Sequence, residues 1–211
     1  MPGFHSVAKF ILKILFLLLT RRKIRGKENI PNQGPLLVVA NHLSMFDPPL
    51  MSVSFSRKVI FMAKEGVFGF RFFNPFIRSF GAFPVRKGQP DRKALRQANQ
   101  VLAEGLPLVV FPEGTRSHDA QLEPALLGPA LIALRNNVPI LPIGITGTEK
   151  IKGKAWLFYR PRLTVNIGQL FYLPQAKGEL DKAMLTQVAN LIMRHIAELL
   201  PAGYRGSYAG D

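Results

Sequence analysis

Short apolar runs alternate with helical periods along this chain, and that alternation constrains its fold more than any other feature. The runs fall at residues 36–41, 58–63, 82–86, 108–111, 138–145 and 163–167. Pro49 opens a short helix over 49–53. Asp91 stands before a clear helix in which Ala94, Leu95, Ala98, Val101 and Leu102 recur at spacings of three and four, and Gly105 ends it. Residues 124–135 read as a helix with an internal Gly-Pro, closed by Asn136-Asn137, and 181–200 as a long closing helix. The expected fold is α/β, a mainly parallel central sheet flanked by helices, with an N-terminal amphipathic membrane-associated helix. At 211 residues the chain can bury a substantial core. The expected organisation is a membrane-associated helix and basic segment over 1–30, one domain over 31–205, and a flexible tail over 206–211. Sites in such a sheet lie at the carboxyl ends of strands.

The first polar segment at a strand end is Asn41-His-Leu-Ser-Met-Phe-Asp47. A histidine titrates near neutrality and can take a proton from an alcohol. A carboxylate that holds one ring nitrogen fixes the tautomer and leaves the other nitrogen free as base. On one continuous helix, residues five apart point about 140° away from each other, so a His42/Asp47 dyad needs the bend that Pro48-Pro49 supplies. That bend would also set a helix N-terminus beside the dyad, a feature that favours anions. A plainer reading makes Asp47 an N-cap with Pro48 at the first helical position, and His42 an ordinary strand-end histidine.

Two more segments fall at strand ends. One delivers Arg86 and Lys87 side by side; the other, Phe111-Pro-Glu-Gly-Thr-Arg-Ser117, runs a strand into a tight turn bearing Glu113, Gly114, Thr115 and Arg116. Gly114 lets the backbone approach a ligand closely. Arg116 with Lys87 is suited to clamp a phosphate, the arginine in bidentate fashion. Glu113 is an acceptor for a ligand hydroxyl or for positioning an arginine. The plainer alternatives are solvated strand-end charges and a simple turn. Ser117-His118-Asp119 cannot be a hydrolase triad, because adjacent residues do not meet in that geometry, and no Gly-x-Ser-x-Gly elbow exists.

Composition narrows the chemistry. There is no cysteine, hence no disulfide, thiol nucleophile or thiolate metal site. The four histidines are far apart and none forms a helical ligand pair, so no metal is expected. A formal net charge of +15 points to an anionic partner, while 47% hydrophobic content with no nucleic-acid-reading motif favours a membrane surface over nucleic acid. Residues 7–20, VAKFILKILFLLLT, precede Arg21, Arg22, Lys23, Arg25 and Lys27. Fourteen helical residues reach about 21 Å, short of a roughly 30 Å hydrocarbon core. Lys9 and Lys13 share one edge, and Phe10, Ile11, Ile14, Leu15 and Leu18 cover much of the rest. This reads as an interfacial helix, anchored by Arg21 and Arg22, on the cytoplasmic face of the cell membrane. A helix packed on the protein's own core is the competing reading. A cleaved signal peptide is disfavoured, since the charge follows the apolar run. Residues 69–80 hold a dense aromatic stretch that suits either a membrane-facing surface or a packed helix.

Together these segments resemble the 1-acylglycerol-3-phosphate (lysophosphatidate) acyltransferases among the glycerolipid acyltransferases. The resemblance covers residues 24–167. It rests on Asn41-His-xxxx-Asp47, on Gly81-Ala-Phe-Pro-Val85 with its basic pair, on Phe111-Pro-Glu-Gly-Thr-Arg-Ser117 and on Val138-Pro-Ile-Leu-Pro-Ile143, in that order. It implies direct transfer of a fatty acyl group from acyl-CoA or acyl-acyl carrier protein to the sn-2 hydroxyl of 1-acyl-sn-glycerol 3-phosphate, giving phosphatidate, with no bound cofactor. By this resemblance His42 is the base and Asp47 orients it. The other expected partners are anionic phospholipid membrane, lysophosphatidate and the acyl thioester. Two positions depart from the pattern. Lys87 stands where an arginine is usual, with Arg86 before it, and Ala125-Leu126-Leu127-Gly128 is apolar where the family often has an aromatic and basic residues. Alternatives are the same chemistry on another lyso-lipid, or a non-catalytic anionic-lipid-binding membrane protein.

Overall fold

Each of the six apolar runs becomes a strand of one sheet, and a seventh strand joins them from the basic segment. The computed structural model describes residues 2–69, 77, 80–86, 91–174 and 180–210. The strands are β1 (Arg21–Arg25), β2 (Leu36–Ala40), β3 (Ile60–Lys64), β4 (Phe83–Val85), β5 (Pro107–Val110), β6 (Ile140–Thr146) and β7 (Arg162–Ile167). Their order is β1-β7-β6-β2-β5-β3-β4. The five strands from β6 to β4 are parallel. At the other edge β7 runs antiparallel to β6, and β1 lies parallel to β7.

The longer helices are α1 (Pro2–Leu19), α2 (Asp47–Ser54), α3 (Arg92–Ala103), α4 (Leu127–Asn136) and α5 (Lys182–Glu198). Asp91 and Asp181 cap α3 and α5 by accepting backbone N–H bonds from Ala94 and Met184. Central β2 is buried on both sides, which is why it is apolar throughout. Its Leu37 and Val39 join a core with Ala94, Ala98 and Leu102 of α3 and Ile192, Met193 and Ile196 of α5. Leu36, Val38 and Ala40 point the other way, onto Leu50 and Met51 of α2 and Phe16 of α1.

Four expectations change. The helix expected over 124–135 starts only at Leu127, because the Leu126 N–H is taken by the carbonyl of Pro112. Pro129 thus sits in the first turn, where its missing N–H costs nothing, instead of interrupting a helix. Arg21 and Arg22 belong to β1, so the sheet begins inside the basic segment expected to follow the membrane-associated helix; with Ile24 its one apolar residue, no apolar run announced this edge strand. The last residues, expected to hang free, form two 3-10 turns, and Tyr204 and Tyr208 pack on the core. Tyr204 also donates its hydroxyl to Glu149 at 2.8 Å.

The fourth concerns α1, which packs one face on the protein's own core and leaves the other exposed. Ala8, Leu12 and Phe16, four apart, turn inward against the core, and Lys9 Nζ donates to the carbonyl of Phe55 at 2.8 Å. Phe10, Ile11, Ile14, Leu15 and Leu18 stay exposed, joined by Val7 and Leu17. Among the described residues no helix is long and apolar enough to cross a membrane. Of the aromatic stretch over 69–80, only residues 69, 77 and 80 are among the described residues.

Candidate active site

Three neighbouring parallel strands, β6, β2 and β5, deliver their carboxyl ends to one place, and the side chains that follow them interlock. Asn41, at the end of β2, is buried and pairs twice with the Ile145 backbone of β6: its Nδ2 donates to the carbonyl at 2.9 Å and its Oδ1 accepts the N–H at 2.7 Å. That clamp fixes where the next residue, His42, leaves the sheet.

Asp47 is the first residue of α2, not its cap, and its carboxylate turns back into the preceding loop. Oδ2 accepts from the N–H groups of Leu43 and Ser44 and from His42 Nδ1, all at 2.7 Å. Oδ1 accepts from the Thr148 hydroxyl at 2.6 Å. The carboxylate is fully buried, so these charge-assisted bonds are what make its burial tolerable. Because an ionised carboxylate only accepts, His42 carries its proton on Nδ1, and the lone pair of Nε2 is left for chemistry. The helix does not have to bring the pair together, since His42 sits on a strand end and only Asp47 is helical.

The rest of His42 is locked as firmly. Its ring stacks on Phe111 at 4.1 Å between centroids. Its N–H donates to Glu113 Oε1 at 2.8 Å and its carbonyl accepts from the Ser117 N–H at 2.8 Å. The side chain is 16% exposed, enough for one ring edge to meet a substrate. A free base edge on an otherwise immobilised imidazole is what proton abstraction from an alcohol requires.

Glu113 stands in a different role from the ligand acceptor the sequence suggested. It is almost wholly buried, and both oxygens are engaged by backbone: Oε1 by His42, Oε2 by the Glu123 N–H at 3.0 Å. Burial pushes its carboxyl up to about 7, outweighing the two N–H bonds that favour the charged form. Gly114 turns the chain at a φ of 63°, and Thr115 and Arg116 follow, exposed. Arg86 is exposed too, and its Nε donates to Glu65 at 3.1 Å in a surface pair. Lys87 lies outside the described residues. Ser117 and Asp119 form only a local turn, the hydroxyl donating to the carboxylate at 3.0 Å.

The N-terminus of α2 is not the anion site its place beside the dyad suggested. Pro48 and Pro49 have no N–H, the Asp47 N–H goes to Ser44 and the Leu50 N–H to Phe46. The donors of that first turn are absent or used.

Sequence reasoning missed Thr148, Phe111 and the clamp made by Asn41. One signal for Thr148 was present. Gly147 has a φ of 90°, and a Cβ there would fall 2.0 Å from the Arg162 carbonyl, so only glycine lets β6 end this close to β7. A polar residue directly after such a glycine, at a strand's carboxyl end, is a site candidate.

Residues 21–146 match the family model described as Acyltransferase. A 1-acyl-sn-glycerol-3-phosphate acyltransferase of Streptococcus pneumoniae is 35% identical over 176 residues, which cover 82% of this chain and 63% of that protein. The chloroplastic 1-acyl-sn-glycerol-3-phosphate acyltransferase BAT2 of Brassica napus is 32% identical over 151 residues, 70% of this chain and 43% of its own. This chain thus spans about half the length of these two relatives. The crystal structure of the 1-acyl-sn-glycerophosphate (LPA) acyltransferase PlsC from Thermotoga maritima superposes with a TM-score of 0.70 at 30% identity, covering 92% of this chain and 79% of the other.

Proposed function

Since this chain belongs to the Acyltransferase family, we propose that it moves a fatty acyl group from a thioester donor, acyl-CoA or acyl-acyl carrier protein, to the sn-2 hydroxyl of 1-acyl-sn-glycerol 3-phosphate, giving phosphatidate. The observation that carries this reading is the 2.7 Å bond from His42 Nδ1 to buried Asp47, on a side chain that stays partly exposed, which assigns Nε2 the role of base. Nε2 takes the acceptor hydroxyl's proton as its oxygen attacks the thioester carbonyl. Asp47 steadies the imidazolium that forms, and Thr148 with the Leu43 and Ser44 N–H groups holds Asp47. When the tetrahedral intermediate collapses, the C–S bond breaks and the imidazolium returns its proton to the leaving thiolate. No residue is acylated on this path.

Arg116, exposed on the turn that also carries Glu113, is the phosphate contact in this reading, with Lys87 as its partner. The exposed face of α1 supports a seat in the interfacial layer of an anionic membrane, on the cytoplasmic face of the cell membrane, where the lyso-lipid is presented.

The test is phosphatidate formation from acyl-CoA or acyl carrier protein and vesicle-borne lysophosphatidate, followed by mass spectrometry. His42→Ala is expected to lose on the order of 10²–10⁴ in rate while binding vesicles as the parent does. Unchanged activity in that variant, or a trapped acyl-protein adduct, would overturn the mechanism. A parent that binds vesicles and transfers nothing would leave a lipid-binding protein.

A further inference from the structure

The connection from β6 to β7 carries a second apolar surface that the active site does not use. It reads Ile151-Lys-Gly-Lys-Ala-Trp-Leu-Phe-Tyr-Arg-Pro161. A single helical turn, Trp156–Tyr159, stands at its centre. Leu157, Phe158 and Tyr159 are all exposed, and Phe158 is 89% so. One exposed apolar residue is ordinary; three consecutive large ones displayed together are not. Nor do they dangle. The Phe158 N–H donates to Ala155, the Arg160 N–H to Trp156, and the Tyr159 hydroxyl to the Lys150 carbonyl at 2.5 Å. Trp156 packs inward and meets Phe46 edge-on, 5.6 Å between centroids, so the turn is braced against the residue next to Asp47.

Two further observations say what covers this tip. Lys150, Lys152, Lys154, Arg160 and Arg162 flank it, and no acidic residue occurs from 150 to 162. Charge complementarity therefore selects an anionic surface. Arg160 Nη2 also donates to the Leu17 carbonyl at 3.0 Å, which ties the tip to the end of α1 where Leu17 and Leu18 are exposed. The two apolar surfaces are adjacent.

We propose that residues 151–161 form a second membrane-docking element, laying Leu157, Phe158 and Tyr159 into the interfacial layer of a bilayer that contains anionic lipid, beside α1. This rests on the membrane reading of α1 given above. Two points of attachment fix an orientation where one helix leaves rotation free. Through Trp156 and Phe46 that orientation is transmitted to the loop holding His42 and Asp47.

The absence of cysteine makes the test clean. Phe158→Cys, Phe10→Cys and Glu104→Cys in the full chain each accept one environment-sensitive fluorophore, Glu104 lying just before β5 at the opposite end of the sheet. With vesicles of phosphatidylcholine and phosphatidylglycerol, the labels at 158 and 10 are expected to shift to the blue and be quenched by acyl-chain spin labels, and the label at 104 to stay unchanged. A shift at 10 with none at 158 overturns the second element and leaves the α1 reading standing. Silence at both overturns both. A shift at 158 on raising protein concentration without vesicles identifies a second copy of the chain as the occupant and also overturns the proposal. As a check without labels, Phe158→Ser is expected to weaken vesicle partitioning about ten-fold or more, and Lys152→Gln or Lys154→Gln about five-fold each. Turnover of a short-chain, water-soluble acceptor by Phe158→Ser should match the parent. Unaltered partitioning in all three variants would equally sink it.

Discussion

Asp47 and Glu113 are two buried carboxylates at the ends of neighbouring strands, and the chain uses them differently. Asp47 accepts from two backbone N–H groups, a hydroxyl and the ring of His42. Glu113 accepts from two backbone N–H groups only. Both order the same loop, since one holds the His42 ring and the other its backbone. Only Asp47 is wired to a group that can exchange a proton with a substrate. Burial and hydrogen bonding alone therefore do not make a carboxylate catalytic; the titratable partner that reaches the open side does. In the proposed mechanism Glu113 is the strut and Asp47 the working member of the pair.

Substitutions at the two carboxylates can break this contrast. Asp47→Asn keeps the shape and removes the charge that stabilises the imidazolium, so kcat is expected to fall on the order of 10²–10³, within the range that a working acid–base pair contributes. Equal activity in that variant would make Asp47 a strut as well. Glu113→Gln replaces a carboxyl whose two oxygens accept from backbone N–H groups. Its donor NH₂ must face one of two N–H groups, so a loss of about ten-fold from a loosened His42 backbone is expected, at the cost of roughly 1–3 kcal/mol for the mismatched bond. A loss as large as that of Asp47→Asn would place Glu113 in the chemistry.

The pH dependence sharpens the same point. Glu113 rises from an ordinary 4.5 to about 7 in the folded chain, chiefly through burial. Between those values the folded state binds more protons than the unfolded one. Its contribution to stability is therefore fully present below pH 4.5 and is lost as pH rises to 7, by up to roughly 3 kcal/mol. Denaturant melts over this window should show that decline in the parent and a flatter profile in Glu113→Gln; identical slopes would refute the assignment.

The smallest effect is expected at Thr148. Thr148→Val preserves shape and leaves Asp47 Oδ1 without its hydroxyl donor in a dry site, at about 1–3 kcal/mol of stability and a several-fold loss in kcat. Thr148→Ser should restore both. Failure of serine to rescue would show that the methyl group, not the hydroxyl, is what matters there.

Some of this site was legible in the order of residues. His42 and Asp47 share one short loop, so their meeting needs only a local bend, and Gly114 announces its own turn. Glu113 was legible as a site residue but not in its role. Its acceptors face the backbone of His42, 71 positions away in sequence, and no local pattern records which way a side chain turns. Thr148 is 101 positions from Asp47 and meets it only because β6 lies beside β2. That Arg21 and Arg22 begin a strand was hidden for a related reason, because an edge strand with one apolar residue has no apolar run to reveal it.

The sequence alone determined the alternation of strands and helices and the cap at Asp91, and it set an imidazole and a carboxylate in one short loop, because each depends on residues within a turn or two of one another. The tertiary structure decided that Asp47 is held by Thr148, that Glu113 accepts from the backbone of His42 and Glu123, and that α1 has an inward and an outward face. Those outcomes depend on which strands become neighbours and which polar atoms lose access to water, and both are set by the packing of the whole chain.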